Sequence, residues 1–231
     1  MRKATRILFI GNSFTGRNGL AKMLAEMAAS ARPPRAVETE LVLANGMALK
    51  THWQRGAALE AIRGAQWDFV VLQEQSTLPL KNRAKMHEYI TLFDREIREH
   101  RAKPVLYMTW ARQNAWQRQD ELSDAYASIG RKLGAIVVPV GVAWQKALEE
   151  SPGIVLHDRD GSHPNPAGTY LAACVFYATL FDASPVGLAV EPALLAKHGA
   201  ETIELLGQVA FRTVREYSAS VGVDREDQPA G

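Results

Sequence analysis

The chain has 231 residues, 47% of them hydrophobic and 23% charged, with a net charge of +2, a composition that suits a globular fold with a substantial core. Its Lys, Arg, Asp and Glu are scattered rather than gathered on one arm, which argues against a dedicated nucleic-acid binder. Its single cysteine, Cys174, rules out an intrachain disulfide, and no run of about 18 apolar residues is present to cross a membrane.

The N-terminus carries basic residues, and its only apolar stretch is the first predicted strand. No signal peptide is therefore expected, and the chain reads as cytoplasmic. Strands are predicted near residues 6–10, 38–44, 68–73, 104–109 and 135–140. Runs such as Phe69-Val70-Val71-Leu72 and Ala135-Ile136-Val137-Val138 are apolar at nearly every position, as in a parallel sheet covered on both faces. Between the strands, Leu20, Met23, Leu24 and Met27 recur at helical spacing. So do Met86, Tyr89, Ile90, Phe93 and Ile97, and later Ile203, Leu206, Ala210, Val214 and Tyr217. Each set reads as a core-facing stripe. Arg32-Pro33-Pro34-Arg35 closes the first helix, and Asn165-Pro166 supplies an N-cap and first-turn proline for a helix through Phe181. Cys174 lies within that helix and reads as a buried thiol.

The alternation predicts one α/β domain over residues 1–220, with a three-layer αβα sandwich around about five parallel strands. Residues 221–231 are expected to form a disordered tail.

Two segments carry chemistry. Gly11-Asn12-Ser13 follows the first strand, at the sheet edge where open α/β folds gather ligands. There glycine permits a tight turn and a helix N-terminus offers free N–H groups. Read alone, Ser13 or Thr15 simply caps the helix. Far downstream, Asp160-Gly161-Ser162-His163 places a carboxylate three residues before an imidazole. The carboxylate can accept from Nδ1 and leave Nε2 free as a base. With Ser13 this makes a nucleophile, a base and a group that orients the base, the minimum set for acyl transfer through a covalent intermediate. Read alone, the second segment also fits a solvated turn, or a metal site with His157 and Asp158.

These blocks resemble the SGNH (GDSL-like) hydrolase superfamily across roughly residues 5–185. Gly11-Asn12-Ser13-Phe14-Thr15 stands where that family has Gly-Asp-Ser, Asn45-Gly46 follows the second strand, and Asp160 through Tyr170 matches the last block. The family's Gly-x-Asn block is absent; Leu72-Gln73-Glu74-Gln75 stands there, as in a divergent branch with an Ile-Gly-Asn-Ser-Phe-Thr start. The resemblance implies a flavodoxin-like sandwich and a cofactor-free serine esterase. Ser13 is then the nucleophile, His163 the base and Asp160 its partner. Backbone N–H groups of Ser13 and Gly46, with a glutamine amide, line the oxyanion hole. Gln73, on which the resemblance to that branch rests, is the favoured donor, with Gln75 on the same strand face the runner-up; a role satisfying loop backbone groups stays open for both.

Asn12, His52, Trp110 and Arg112 are candidates for the substrate pocket. His52 also reads as a structural histidine, and the loop from Trp110 to Trp116 as a self-stabilised one. The implied substrate is a small-molecule or carbohydrate ester with a short acyl group such as acetyl. Two other readings stay open: a binding module that lost the reaction, and a metal-assisted hydrolase using His157, Asp158, Asp160 and His163. Oligomeric state is unreadable from the sequence.

Overall fold

A computed structural model describes residues 3–221. Of the tail expected at residues 221–231, all but Val221 lies outside the described residues. Ile7, Leu8, Phe9 and Ile10 of β1 (Thr5–Gly11) are all fully buried, which requires cover on both faces of the strand. Strands β2 (Val37–Leu43), β3 (Phe69–Leu72), β4 (Lys103–Tyr107) and β5 (Ile136–Val138) complete a sheet in the order β2-β1-β3-β4-β5. Every pairing is parallel. This is the flavodoxin-like order, whose direction of winding reverses between β1 and β3.

Eleven α-helices lie among the described residues: α1 (Ser13–Gly16), α2 (Leu20–Ser30), α3 (Leu49–Arg55), α4 (Ala57–Gly64), α5 (Leu78–Lys81), α6 (Arg83–Glu99), α7 (Gln119–Leu133), α8 (Val140–Glu150), α9 (Pro166–Phe181), α10 (Pro192–His198) and α11 (Ala200–Ser220). Alternation along the strands divides the core in two. Ile7, Phe9, Val71, Val105, Tyr107 and Val138 pack with α2, α8, α9 and α11. Leu8, Ile10, Val70, Leu72, Leu106 and Met108 face the other way, onto α3, α4, α6 and α7. Burying one such side chain contributes about 1.5–3 kcal/mol. The stripes read on α2, α6 and α11 are the buried faces of those helices, with Tyr217 at the margin.

Helix α9 is apolar all round and almost wholly buried, as a helix must be when other helices enclose it. Asn165 caps it by accepting from the Gly168 N–H at 3.0 Å, and Pro166 occupies its first turn. Cys174 is buried there, and burial pushes its thiol up to about 12. Edge strand β2 alternates Glu38 and Glu40 with half-buried residues, charges that discourage edge pairing. The fifth strand is shorter than expected. Pro139 has no N–H to extend the ladder, so the chain turns there and Val140 opens α8.

Candidate functional site

Ser13 is the first residue of α1, directly beyond β1. Asn12 caps that helix, its Oδ1 accepting from the Phe14 N–H at 3.0 Å. The Asn12 carbonyl accepts from the Thr15 and Gly16 N–H groups. The turn is crowded: a Cβ on Gly11 would lie 2.6 Å from Thr15 Oγ1 and 2.7 Å from Gln73 Oε1. Glycine is required there by close approach rather than by its own dihedral angles.

The downstream loop meets this turn. His163 Nε2 lies 2.8 Å from Ser13 Oγ, and His163 Nδ1 lies 2.5 Å from Asp160 Oδ2. The three-residue spacing lets Asp160 organise its own loop. Its Oδ1 accepts from the N–H groups of Ser162 and His163, each at 2.9 Å, while Gly161 takes φ +64° between them. The His163 side-chain hydrogen bond and these backbone donors hold the Asp160 carboxyl well below the usual carboxylate range. Asp160 is therefore the acceptor, the Nδ1–H tautomer is fixed, and Nε2 accepts from the Ser13 hydroxyl.

Contacts that the sequence reading missed dock the loop on the nucleophile turn. Arg17 Nη1 pairs with Asp158 at 2.9 Å and approaches Asp160 at 3.9 Å. Asn18 Nδ2 donates to the Pro164 carbonyl and to Thr169 Oγ1. The Phe14 ring lies 5.1 Å from the His163 ring and 5.1 Å from Trp110, which stacks on Trp144 at 3.9 Å. Trp110 Nε1 donates to the Ser162 carbonyl at 3.0 Å.

Four of the candidate residues have other partners. Trp110 is 1% exposed and belongs to this supporting stack rather than to a pocket wall. His52 is buried with Nε2 2.9 Å from the Gly11 carbonyl. Desolvation lowers its pKa, so it is a neutral donor propping the end of β1. Asn12 is also buried, and its Nδ2 donates to the Met47 carbonyl at 3.1 Å. That bond brings the loop containing Gly46 beside Ser13.

The fourth is Gln73, which has no exposure. Its Oε1 accepts from the Asn12 N–H at 2.9 Å and from Thr15 Oγ1 at 3.0 Å, and its Nε2 donates to the Glu74 carbonyl. The amide is consumed in bracing the Ser13 turn, because β3 ends at Leu72 and strand alternation does not continue through Gln75. Gln75 differs. Its Oε1 accepts from the Thr77 and Leu78 N–H groups and from Thr77 Oγ1, while its Nε2 has no hydrogen-bond partner among the described residues. Gly46, at φ +68° in an exposed turn, likewise keeps an unbonded N–H among those residues. Arg112 is exposed and its Nη2 reaches Ser76 Oγ at 3.3 Å, beside Gln75.

The residues proposed for a metal do not converge. His157 Nε2 lies 3.1 Å from the Ala111 carbonyl, Asp158 pairs with Arg17, and Asp160 with His163. Among the described residues no three His, Cys, Asp or Glu side chains form a metal-binding group. No helix among them is long and apolar enough to cross a membrane.

Neither the family models nor the curated proteins contain a match to this chain. Solved structures do match. A candidate SGNH hydrolase from Slackia heliotrinireducens is 28% identical, with a TM-score of 0.65 over 77% of this chain and 100% of that one. A DUF4886 family protein from Bacteroides uniformis superposes with a TM-score of 0.75 at 18% identity, over 92% of this chain and 95% of that one. A catalytic mutant of Axe2, an acetylxylan esterase from Geobacillus stearothermophilus, gives a TM-score of 0.59 at 16% identity, over 78% of this chain and 96% of that one. The chain has an SGNH-hydrolase-like fold.

Proposed function

We propose that this protein is a serine ester hydrolase that works through an acyl-enzyme. The observation that carries the reading is the continuous chain from Asp160 Oδ2 through His163 to Ser13 Oγ, with links of 2.5 and 2.8 Å. It stands at the carboxyl end of the sheet, where the winding reverses between β1 and β3, the usual ligand site of this architecture. Ser13 attacks the ester carbonyl while His163 Nε2 takes its proton. The imidazolium formed is stabilised by Asp160 and returns the proton to the leaving alkoxide. Water then repeats the cycle on the acyl-enzyme.

Charge developing on the carbonyl oxygen needs convergent donors. The Ser13 and Gly46 N–H groups and Gln75 Nε2 are assigned that role, because each is an uncommitted donor and their segments follow β1, β2 and β3 at the carboxyl end of the sheet. Gln73 holds the turn instead. The proposed substrate is a small-molecule or carbohydrate ester with a short acyl group, consistent with the esterases that share the fold. A catalytically dead binding module would have no use for a serine hydroxyl already within hydrogen-bond distance of an oriented imidazole.

A series of p-nitrophenyl esters of increasing acyl length tests this reading on wild type and Ser13→Ala. The expected result is turnover that declines with chain length in wild type and is abolished in a folded Ser13→Ala protein. Undiminished hydrolysis by Ser13→Ala contradicts it.

A further inference from the structure

Glu74 lies between the two glutamines and has no exposure at all. One of its carboxyl oxygens joins two loops: Oε1 accepts from the Leu49 N–H at 3.1 Å and from the Gln75 N–H at 2.6 Å. Leu49 opens α3, three residues beyond Gly46, and Gln75 carries the uncommitted amide nitrogen. The other oxygen, Oε2, is buried and has no hydrogen-bond partner among the described residues. A buried acid with an orphaned oxygen disfavours folding, so this side chain is an expensive way to fill space. Among the described residues no basic side chain pairs with it. Burial dominates its environment and pushes its carboxyl up to about 7, opposed only by the two backbone donors. The titratable neighbour that senses it is Tyr126 on α7, itself buried and raised.

We infer that Glu74 is a positioning residue for the oxyanion hole: through Oε1 it fixes the spacing between the Gly46 loop and the Gln75 loop, so that their donors meet at one point. The inference rests on the serine-esterase reading. With Gln73 bracing the Ser13 turn, the consecutive residues Gln73, Glu74 and Gln75 then have separate tasks. The first holds the nucleophile, the second ties the two donor loops, and the third supplies a donor. A displacement of well under 1 Å matters here, because donors must sit about 2.7–3.1 Å from the developing oxyanion.

The experiment compares Glu74→Leu and Glu74→Gln with wild type on p-nitrophenyl acetate, with thermal unfolding as the check on folding. Leucine keeps most of the volume and removes the acceptor. Glutamine keeps a carbonyl oxygen that can take both N–H groups. The expected result is a kcat lowered about 10- to 100-fold by Glu74→Leu, less than the ~100- to 1000-fold typical of losing a donor outright. KM should stay within about threefold, because the contact tightens only in the transition state. Glu74→Gln should recover most of the lost kcat. Wild-type kcat in folded Glu74→Leu overturns the inference, as does a loss confined to KM. A Glu74→Gln enzyme depressed by 10-fold or more also overturns it, whether or not the leucine variant folds. Ser13→Ala, run alongside, separates the two claims. If it stays active, the serine-esterase reading falls; if it is dead while Glu74→Leu is fully active, only the role of Glu74 falls.

Discussion

Asp160 and His163 are joined by two hydrogen bonds to different carboxylate oxygens, one from the imidazole and one from the backbone N–H. A carboxylate held this way fixes the ring without help from a distant strand. It also stays ionised throughout the neutral range, because the His163 side chain and the backbone donors depress its pKa. Asp160→Asn should leave the fold intact but lower kcat by about three to four orders of magnitude, through loss of the correct tautomer. Steady-state kinetics with circular dichroism checks both halves of that expectation.

Residues acting on one step should not show additive losses. Ser13→Ala, His163→Ala and the double variant should have similar residual activity, each near the background set by binding and the oxyanion donors. A double variant much slower than both single variants would separate their roles.

The glutamines should behave oppositely. Gln75→Ala is expected to lower kcat about 100- to 1000-fold with KM little changed. Gln73→Ala leaves the buried Asn12 N–H unsatisfied and should cost about 1–3 kcal/mol of stability. Urea unfolding and initial-rate kinetics on both variants check the division.

Trp110 links core and loop. Trp110→Ala should destabilise by about 3–5 kcal/mol, as large-to-small core changes do. Trp110→Phe should retain much of the stack and lose the bond to the Ser162 carbonyl, lowering kcat more than it lowers the unfolding temperature would suggest. Calorimetry and kinetics on the pair distinguish packing from loop anchoring.

Glu74 gives stability a pH signature. Its folded pKa, about 7, lies above the ordinary 4.5. Its most favourable contribution is therefore present below pH 4.5 and declines as pH rises through 7, the native state giving up a proton that the unfolded chain has already lost. The ceiling of this decline is about 3 kcal/mol. Glu74→Gln should gain stability relative to wild type between pH 5 and pH 8, as measured by urea unfolding. Asp160 acts in the opposite sense: its depressed pKa confers stability above its ordinary value of 3.8, lost only as the pH falls below that value. It does not blur the comparison.

The strand runs and helical stripes made the sheet and its two cores legible, because period and burial are local properties of a sequence. The meeting of Ser13 with Asp160-Gly-Ser-His163 was legible as a pair of segments, since each carries its own turn chemistry. The partners of the remaining polar residues were not. Asn12, His52 and Trp110 have the same composition whether they face a ligand or a backbone carbonyl, and here their polar groups meet the carbonyls of Met47, Gly11 and Ser162. Gln73 was ranked above Gln75 on resemblance, and the residues alone did not show which amide the backbone engages. Their distinction depends on β3 ending at Leu72, which an apolar run followed by polar residues places only to within a few positions. Arg17 and Asp158 left no local pattern, being a contact between distant loops.

The most direct test of the central claim is peptide mapping after reaction with an alkyl phosphonate ester probe, which forms a stable adduct on an activated serine. The account predicts a single adduct on the peptide containing Ser13, abolished by Ser13→Ala and greatly slowed by His163→Ala. An adduct on Ser76 or Ser162, or labelling of Ser13 at the same rate without His163, would contradict it.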